Sequence, residues 1–243
     1  MGTRKSSAER PPPLEILFED DHLIAAVKPA GLPTANAPSG RPSLYTVIQQ
    51  RLSARTGRDA FVGIVSRLDA PVSGVVVVAK SPAAAAGLAE QFRERTAEKR
   101  YLAVVSGRFP APLAQWIEWN DRLVRGAGRE PSRIVPAADD AQDARTRALV
   151  ARRAGEVSLV ELEPLTGRRH QLRAQLAARG CPIVGDRLYG SRLPFPEPGG
   201  IALHAAELTL RHPLGGRELR LESSVAPAWQ HAFPSLFSPR ETG

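Results

Sequence analysis

The chain has 243 residues with 33 Lys and Arg against 25 Asp and Glu, which gives a formal net charge of +8 and a pI near 10.5. This length allows a large hydrophobic core, and the single cysteine, Cys181, excludes an internal disulfide bond and a zinc site built from cysteines. The basic charge predicts a polyanionic partner, and nucleic acid is favoured over a membrane because no segment combines a basic face with a strongly apolar one. No apolar run reaches the roughly 18 residues that span a bilayer, so we expect a cytoplasmic protein.

The first 28 residues predict a leader followed by two strands. Residues 1–13 are polar and end in three prolines, which is typical of a flexible leader, so we expect order to begin at Leu14. The apolar runs 14–18 and 23–27 flank an acidic turn and predict paired strands. Lys28 ends the second run, and two interpretations stay open for it: a solvated lysine at the strand end, or a structural or RNA-facing role.

Two helices are predicted to begin at serine N-caps. The first follows Ser43, after which apolar residues recur at the spacing of one helix face. The second follows Ser81, has proline at its first position and is expected to run to Glu98. This helix leads into a strand that begins with Tyr101. The local pattern alone favours a packing role for the Tyr101 ring.

The segment between these helices contains the most distinctive pattern of the chain. Four consecutive valines, 75–78, predict a strand that is buried on both faces. Pro71 and Gly74 mark a turn before it, and Asp69 lies at the start of that turn. An aspartate there is either a turn former or a reactive group at the edge of a rigid strand, and the local pattern leaves both interpretations open.

The middle of the chain is less informative. Trp116 and Trp119 flank Ile117 in a predicted strand. Residues 125–142 are rich in Gly, Pro and Ala and predict a loop. Its arginines, which we expect to face RNA, are Arg125, Arg129 and Arg133.

The third predicted helix follows a strand at 157–163. Thr166 offers an N-cap for this helix, and Gly180 is a suitable residue just beyond its end. Arg169 and Arg173 are four residues apart, so their guanidinium groups can share one helix face. A solvated charged face is the alternative interpretation of that spacing.

The end of the chain predicts a hairpin of strands 207–210 and 218–221, and we expect residues 223–243 to form a peripheral tail. Hairpin signals dominate the whole sequence, and the helices are too few for regular alternation with parallel strands. The predicted fold class is therefore α+β with a mixed, largely antiparallel sheet and flanking helices.

Three segments together resemble the RluA-type RNA pseudouridine synthases. Residues 66–80 resemble the family's His-Arg-Leu-Asp motif, its Ser-Gly turn and its strand, with Ser66 in the place of the usual histidine. Residues 99–105 resemble its motif of a basic residue, tyrosine and a strand. Residues 166–173 and 180–190 are similar to the family's Thr-Gly-Arg-x-His-Gln-Leu-Arg and Gly-x-Pro-Ile-x-Gly-Asp-x-x-Tyr-Gly segments. The resemblance covers about residues 14–222, which we expect to form a single catalytic domain without the S4-like RNA-binding module of many relatives.

This resemblance implies a bent sheet with a central basic cleft and the isomerisation of uridine to pseudouridine in structured RNA, after the target base has been flipped out of its stack. Asp69 would be the essential carboxylate, acting as a nucleophile at the sugar or as a base. Arg173 would pair with Asp69, and Tyr101 would stack on the base and assist proton removal from its C5 atom. The expected substrate-binding residues are Arg67, which would fill the space of the flipped base, Leu172, which would wall the pocket, and Arg168, Arg169 and His170, which would contact the RNA backbone.

Several alternatives remain at this stage. The implied enzyme needs no metal, no nucleotide and no other cofactor, and we expect a monomer that acts on ribosomal or transfer RNA. A non-catalytic RNA-binding or ribosome-assembly protein could share the basic charge. A nucleoside or glycoside hydrolase would generally require a second carboxylate, and no acidic residue lies near Asp69 in the sequence.

Overall fold

The computed structural model describes residues 13–38, 41–107, 109–128 and 130–238. The predicted leader lies outside these residues except for Pro13, and Arg129 lies outside them as well. The elements of the described residues are, in chain order, β1 (Glu15–Glu19), β2 (Leu23–Lys28), α1 (Leu44–Thr56), β3 (Gly63–Ile64), β4 (Ser73–Ala79), α2 (Pro82–Glu94), β5 (Glu98–Ser106), β6 (Trp116–Val124), β7 (Arg133–Val135), β8 (Gln142–Ala154), β9 (Val157–Pro164), α3 (Gln171–Ala178), a single 3-10 turn (Arg187–Tyr189), β10 (Leu203–Arg211), β11 (Glu218–Glu222), α4 (Pro227–Ala232) and α5 (Pro234–Phe237).

The described strands form one sheet in the order β1-β2-β4-β10-β5-β9-β8-β6-β7, with β3 added to β4 and β11 added to β10. Pairs of these named strands are antiparallel apart from β4 and β10. The predicted α+β class with a mixed, largely antiparallel sheet is therefore confirmed. The expected β1–β2 and β10–β11 hairpins and the buried valine strand β4 are present.

The two halves of the sheet meet at a short parallel joint, which we call the central joint. It pairs Ser73 with His204 and Gly74 with Ala205. Gly74 has φ +117°, and a Cβ atom at this position would overlap the backbone carbonyl of Ala205. Glycine is therefore required here both for its backbone conformation and for the close approach of the two strands.

The largest hydrophobic cluster packs around the β10-β5-β9-β8 half. It combines strand residues such as Val104 and Leu162 with Leu172 and Leu176 of α3. Trp229 of α4 and Leu236 of α5 are fully buried in the same cluster. The prediction of a peripheral tail after residue 222 is thus wrong for the described part of that segment, because two short helices return its apolar side chains to the core.

Three predicted boundaries are also corrected. Helix α2 ends at Glu94 and not at Glu98, because Arg95 takes the left-handed conformation. The predicted loop 125–142 contains strand β7. Thr166 does not cap α3, since that helix begins after His170, which is itself left-handed with φ 57°. None of the described helices is long and apolar enough to cross a membrane.

We expect Gly74→Ala to destabilise the protein by about 3 kcal/mol or more, since overpacking and a left-handed backbone both oppose the new methyl group. The matched control is Gly216→Ala in the β10–β11 turn, where φ is +67° but no atom lies within 4 Å of the added carbon. That control should cost only about 1 kcal/mol. Urea unfolding of both variants measures the difference, and equal losses would contradict the proposed clash.

Candidate active site

A cleft of about 1320 Å³ runs along the central joint and is lined by residues from both halves of the sheet. This confirms the expected central cleft. Its lining is rich in positive charge, with Arg67, Arg93, Arg95, Lys99, Arg125, Arg168, Arg169 and Arg173. Such a lining suits the phosphate groups of a nucleic acid strand.

Asp69 lies at the centre of this cleft, in a turn whose backbone is fixed on several sides. The amide of Val72 donates to the carbonyl of Asp69 at 3.0 Å, and the amide of Gly31 donates to the carbonyl of Ala70 at 2.8 Å. The hydroxyl of Thr34 donates to the carbonyl of Leu68 at 2.7 Å. The carboxylate of Asp69 is thus carried on a rigid turn while its side chain keeps 28% exposure to the cleft.

Lys28 supports the same turn from inside the protein. Its ammonium group is fully buried and donates to the carbonyls of Pro29, Leu32 and Ala70. Burial lowers the pKa of Lys28 to about 7, against the opposing effect of the Asp69 charge. The RNA-facing alternative for Lys28 is therefore wrong, because the side chain has no accessible surface.

Arg173 of α3 lies between two carboxylates. Its Nη1 donates to Oδ2 of Asp69 at 2.9 Å, while Nε and Nη2 donate to the two oxygens of Asp186 at 2.6 and 2.8 Å. Arg173 and Asp186 are both buried. Burial alone would lower the pKa of Arg173, but the hydrogen bonds and charge of Asp186, followed by those of Asp69, raise it. The structure thus brings Asp69 and Arg173 together across 104 positions of the sequence.

The ring of His170 also lies beside Asp69. Nε2 of His170 is 3.6 Å from Oδ2 of Asp69, and Nδ1 is 3.0 Å from the hydroxyl of Tyr189. That hydroxyl donates to the carbonyl of Ser132 at 3.2 Å. The guanidinium carbon of Arg173 lies 4.9 Å from the centre of the Tyr189 ring, which is a cation–π arrangement.

Tyr101 and Leu172 form apolar parts of the cleft wall. Tyr101 lies on β5, opposite Ala205 of the central joint, and is partly buried. Burial, and to a lesser degree the charge of Asp69, raises the pKa of the Tyr101 hydroxyl. Leu172 is buried in the largest hydrophobic cluster and also lines the cleft.

The other predicted binding residues occupy the rim of the cleft. Arg67 is exposed. Both terminal nitrogens of Arg169 donate to the protein itself, at 2.6 Å to the carbonyl of Gly126 and 2.7 Å to that of Gly128. Nε of Arg168 donates to the carbonyl of Asp143 at 3.1 Å. These two arginines therefore hold the neighbouring backbone as well as adding positive charge to the cleft.

A buried polar network that the sequence analysis missed fixes α3 on the sheet. Gln171 donates to the hydroxyl of Thr146 at 2.9 Å, and Thr146 donates to Gln175 at 2.7 Å. Gln175 in turn donates to Asp121 at 2.8 Å. The hydroxyl of Thr166 donates to Gln171 at 2.7 Å, which is its actual role in place of an N-cap.

The central joint contains a second buried histidine. Ser73 Oγ lies 2.9 Å from Nδ1 of His204, and Nε2 of His204 lies 3.1 Å from the carbonyl of Ser223. Since a carbonyl only accepts, the proton of a neutral His204 is on Nε2 and Ser73 donates to Nδ1. Burial lowers the pKa of His204 to about 4, partly opposed by the hydrogen bond to Ser223.

The described residues contain no group of three or more His, Cys, Asp or Glu side chains that could hold a metal ion. The carboxylates of Asp69 and Asp186 are both paired with Arg173.

Residues 22–178 match the family model described as RNA pseudouridylate synthase. The chain is 32% identical over 203 residues to the Dual-specificity RNA pseudouridine synthase RluA of Haemophilus ducreyi, which covers 84% of this chain and 89% of that protein. It is also 32% identical over 232 residues to the Ribosomal large subunit pseudouridine synthase C of Escherichia coli K12, covering 93% and 70%. The solved structure of Human RNA Pseudouridylate Synthase Domain Containing 4 superimposes with a TM-score of 0.72 over 91% of this chain and 92% of that one, at 25% identity.

The fold and the carboxylate in its basic cleft define an enzyme that modifies RNA. The chain belongs to the RNA pseudouridylate synthase family and isomerises uridine to pseudouridine in RNA. The alternative of a non-catalytic binding protein is not favoured.

The effect of Asp186 on the stability of the protein can be measured by removing its charge. We expect Asp186→Asn to cost roughly 3 kcal/mol of stability, because a buried cation then keeps only one carboxylate partner. The matched control is Asp143→Asn, which breaks the exposed 2.7 Å pair with Arg122 and should cost less than about 1 kcal/mol. Chemical denaturation of both variants gives the comparison, and similar losses would contradict this account.

His204 should make the protein less stable in acid. Unfolded His204 binds a proton near pH 6.5 whereas the folded form does so near pH 4, so the free energy of unfolding decreases as pH falls through this window. Between pH 8 and pH 5 this decrease amounts to roughly 2 kcal/mol.

The measurement is urea unfolding of wild type and His204→Gln at both pH values. Glutamine does not titrate at position 204, so the variant should lose roughly 2 kcal/mol less stability than wild type between pH 8 and pH 5. His231→Gln, which alters an exposed histidine in α4, should behave like wild type. An unchanged acid loss in His204→Gln would refute the assignment.

Proposed function

We propose that this synthase acts on uridines of structured ribosomal or transfer RNA and that Asp69 is its essential catalytic residue. The observation that carries the assignment is the ion pair of Asp69 with Arg173, whose guanidinium is held from behind by Asp186. A guanidinium group at hydrogen-bond distance orients the carboxylate of Asp69 in the cleft.

The target uridine would enter the cleft as a flipped base. While the uridine is stacked inside a folded RNA, its C1′ and C5 atoms are beyond the reach of a protein side chain. Tyr101 offers its ring as a stacking surface and would assist removal of the C5 proton, and Leu172 closes the apolar side of the pocket. Arg67, exposed at the rim, would occupy the space that the base leaves in the RNA.

The backbone of the RNA would follow the positive lining of the cleft. We assign Arg168, Arg169 and His170 to this side of the substrate, as the family resemblance implies. Because Arg169 also holds the carbonyls of Gly126 and Gly128, its contribution includes the placement of the segment that carries Arg125 into the cleft.

The reaction breaks the N1–C1′ bond, rotates the uracil and joins C5 to C1′, while the proton on C5 leaves and N1 gains one. Asp69 would start this sequence either as a nucleophile at the sugar or as the base that removes the ribose 2′ proton. The net change is an isomerisation, so the proposed chemistry uses the protein's own side chains without a metal or other cofactor.

The names of the relatives support the substrate class. One is a dual-specificity RNA pseudouridine synthase and the other acts on the large ribosomal subunit. We therefore propose ribosomal RNA as the first substrate to test and transfer RNA as the second. We also propose that residues 14–222 form the catalytic domain, with the helices α4 and α5 packed on it, and that the protein works as a cytoplasmic monomer.

The test is tritium release from RNA transcribed with C5-labelled uridine, measured on ribosomal and transfer RNA pools. Wild type should release tritium, and Asp69→Asn should release none while binding RNA within a few fold of wild type. The control Asp59→Asn alters an exposed aspartate outside the cleft and should keep full activity. Substantial release by purified Asp69→Asn would disprove the catalytic role, and release from neither pool by wild type would disprove the proposed substrates.

A further inference from the structure

The surroundings of His170 point to a role beyond RNA contact. Its side chain is only 11% exposed, and Nε2 faces Oδ2 of Asp69 at 3.6 Å. Its Nδ1 contacts the hydroxyl of Tyr189, which in turn contacts the carbonyl of Ser132. Polar atoms therefore lead from the proposed catalytic carboxylate, across the 3.6 Å gap to Nε2 of His170, and on through the hydrogen-bonded hydroxyl of Tyr189 to a backbone carbonyl.

The direction of the protons along this line follows from counting them. The hydroxyl of Tyr189 carries one proton, and the carbonyl of Ser132 can only accept. When that proton goes to Ser132, the contact between Tyr189 and His170 must use a proton on Nδ1 of the histidine. In a neutral imidazole the Nε2 atom then holds a lone pair, and this lone pair faces Asp69.

The burial of His170 favours that neutral form. Burial lowers the pKa of His170; the charge of Asp69 opposes this effect, Arg173 and Arg169 add to it, and Asp186 again opposes it. Burial also raises the pKa of Tyr189 to about 12, so its hydroxyl stays protonated. At neutral pH the site thus holds an uncharged imidazole with a vacant nitrogen beside a carboxylate.

We propose that His170 acts through Asp69 as a proton acceptor: it takes up the proton that Asp69, assisted by Tyr101, removes from C5 of the uracil after C5 has joined C1′. This inference rests on the proposed catalytic role of Asp69. In the first step, once C5 has joined C1′, the C5–H bond breaks, its electron pair restores the double bond of the uracil ring, and the proton moves to Oδ2 of Asp69. In the second step the O–H bond breaks as an N–H bond forms at Nε2 of His170, and the proton then passes to water in the cleft.

The ion pair of Asp69 with Arg173 gives this transfer its physical reason. A protonated Asp69 would leave one side of the buried guanidinium without a charged partner, which is costly. Moving the proton to His170 restores that ion pair, and the resulting imidazolium is flanked by the carboxylates of Asp69 and Asp186 while Tyr189 accepts the hydrogen bond from Nδ1. Tyr101 is less suited as the final acceptor, because its hydroxyl is held in the neutral form.

The experiment measures single-turnover tritium release against pH for wild type, His170→Asn and His170→Gly. Asparagine and glycine both accept the left-handed backbone of this position, so neither substitution strains the fold. For wild type we expect the rate constant to fall as pH decreases through the pKa of His170, which burial lowers, because a protonated imidazole can no longer accept a proton. For His170→Asn, assayed at saturating RNA, we expect an about 10- to 100-fold lower rate constant at pH 7.5 and no such acid decline.

Chemical rescue separates proton transfer from a structural role. Added imidazole should raise the rate of His170→Gly at least about fivefold, in proportion to its deprotonated fraction, because the vacated space opens to the cleft. Tyr189→Phe keeps the ring against Arg173 but removes the hydroxyl. The pH at which the rate constant of this variant declines should differ from that of wild type.

Two results would overturn the inference. One is His170→Asn with the rate constant and acid decline of wild type. The other is a slow His170→Gly that imidazole does not restore, since His170 would then serve the backbone alone. Failure of the proposed function is seen separately, as tritium release by Asp69→Asn or as an inactive wild type.

Discussion

The active site depends on one buried cation. The guanidinium of Arg173 is desolvated, so its N–H groups need carboxylates within the protein, and Asp186 engages two of the nitrogens from behind. The front nitrogen, Nη1, is directed toward Asp69. The position of α3 therefore sets the position of the Asp69 carboxylate, and the buried amide network of Gln171 and Gln175 fixes that helix against β6 and β8.

The arginines of the cleft fall into two groups, those that bind backbone carbonyls of the protein and those that are exposed. Arg169 and Arg168 lie at the cleft, yet their guanidinium groups donate to backbone carbonyls of the segments beside it. Arg67 is exposed at the rim. A net charge of +8 therefore says that a polyanion is attracted, but only the contacts show which arginines shape the cleft and which are presented to a ligand.

Much of this fold and site follows from local sequence patterns. The valine strand, the first hairpin and the motifs around Asp69, Tyr101 and Arg173 were predictable because each depends on neighbours within a few residues. Asp186 and Tyr189 were part of a recognised motif, but their contacts with Arg173 and His170 form only in the folded chain. The burial of Trp229 had no signal either, since α4 is too short to show a helical period. Thr166 was misassigned because a left-handed His170 delays the start of α3.

The central joint also determines at which point of its synthesis the chain can complete the cleft. Ser73 and His204 meet across 131 positions, whereas hairpins such as β1–β2 close over a few residues. Pairing between strands far apart in the sequence closes a long loop at a cost in entropy, so it forms after the local contacts. Until the chain through Arg211 has left the ribosome, β10 cannot pair with β4, and the two halves of the cleft are not joined at the central joint. Every nascent chain therefore carries Asp69 long before it can modify an RNA, and activity begins only when the two halves have joined.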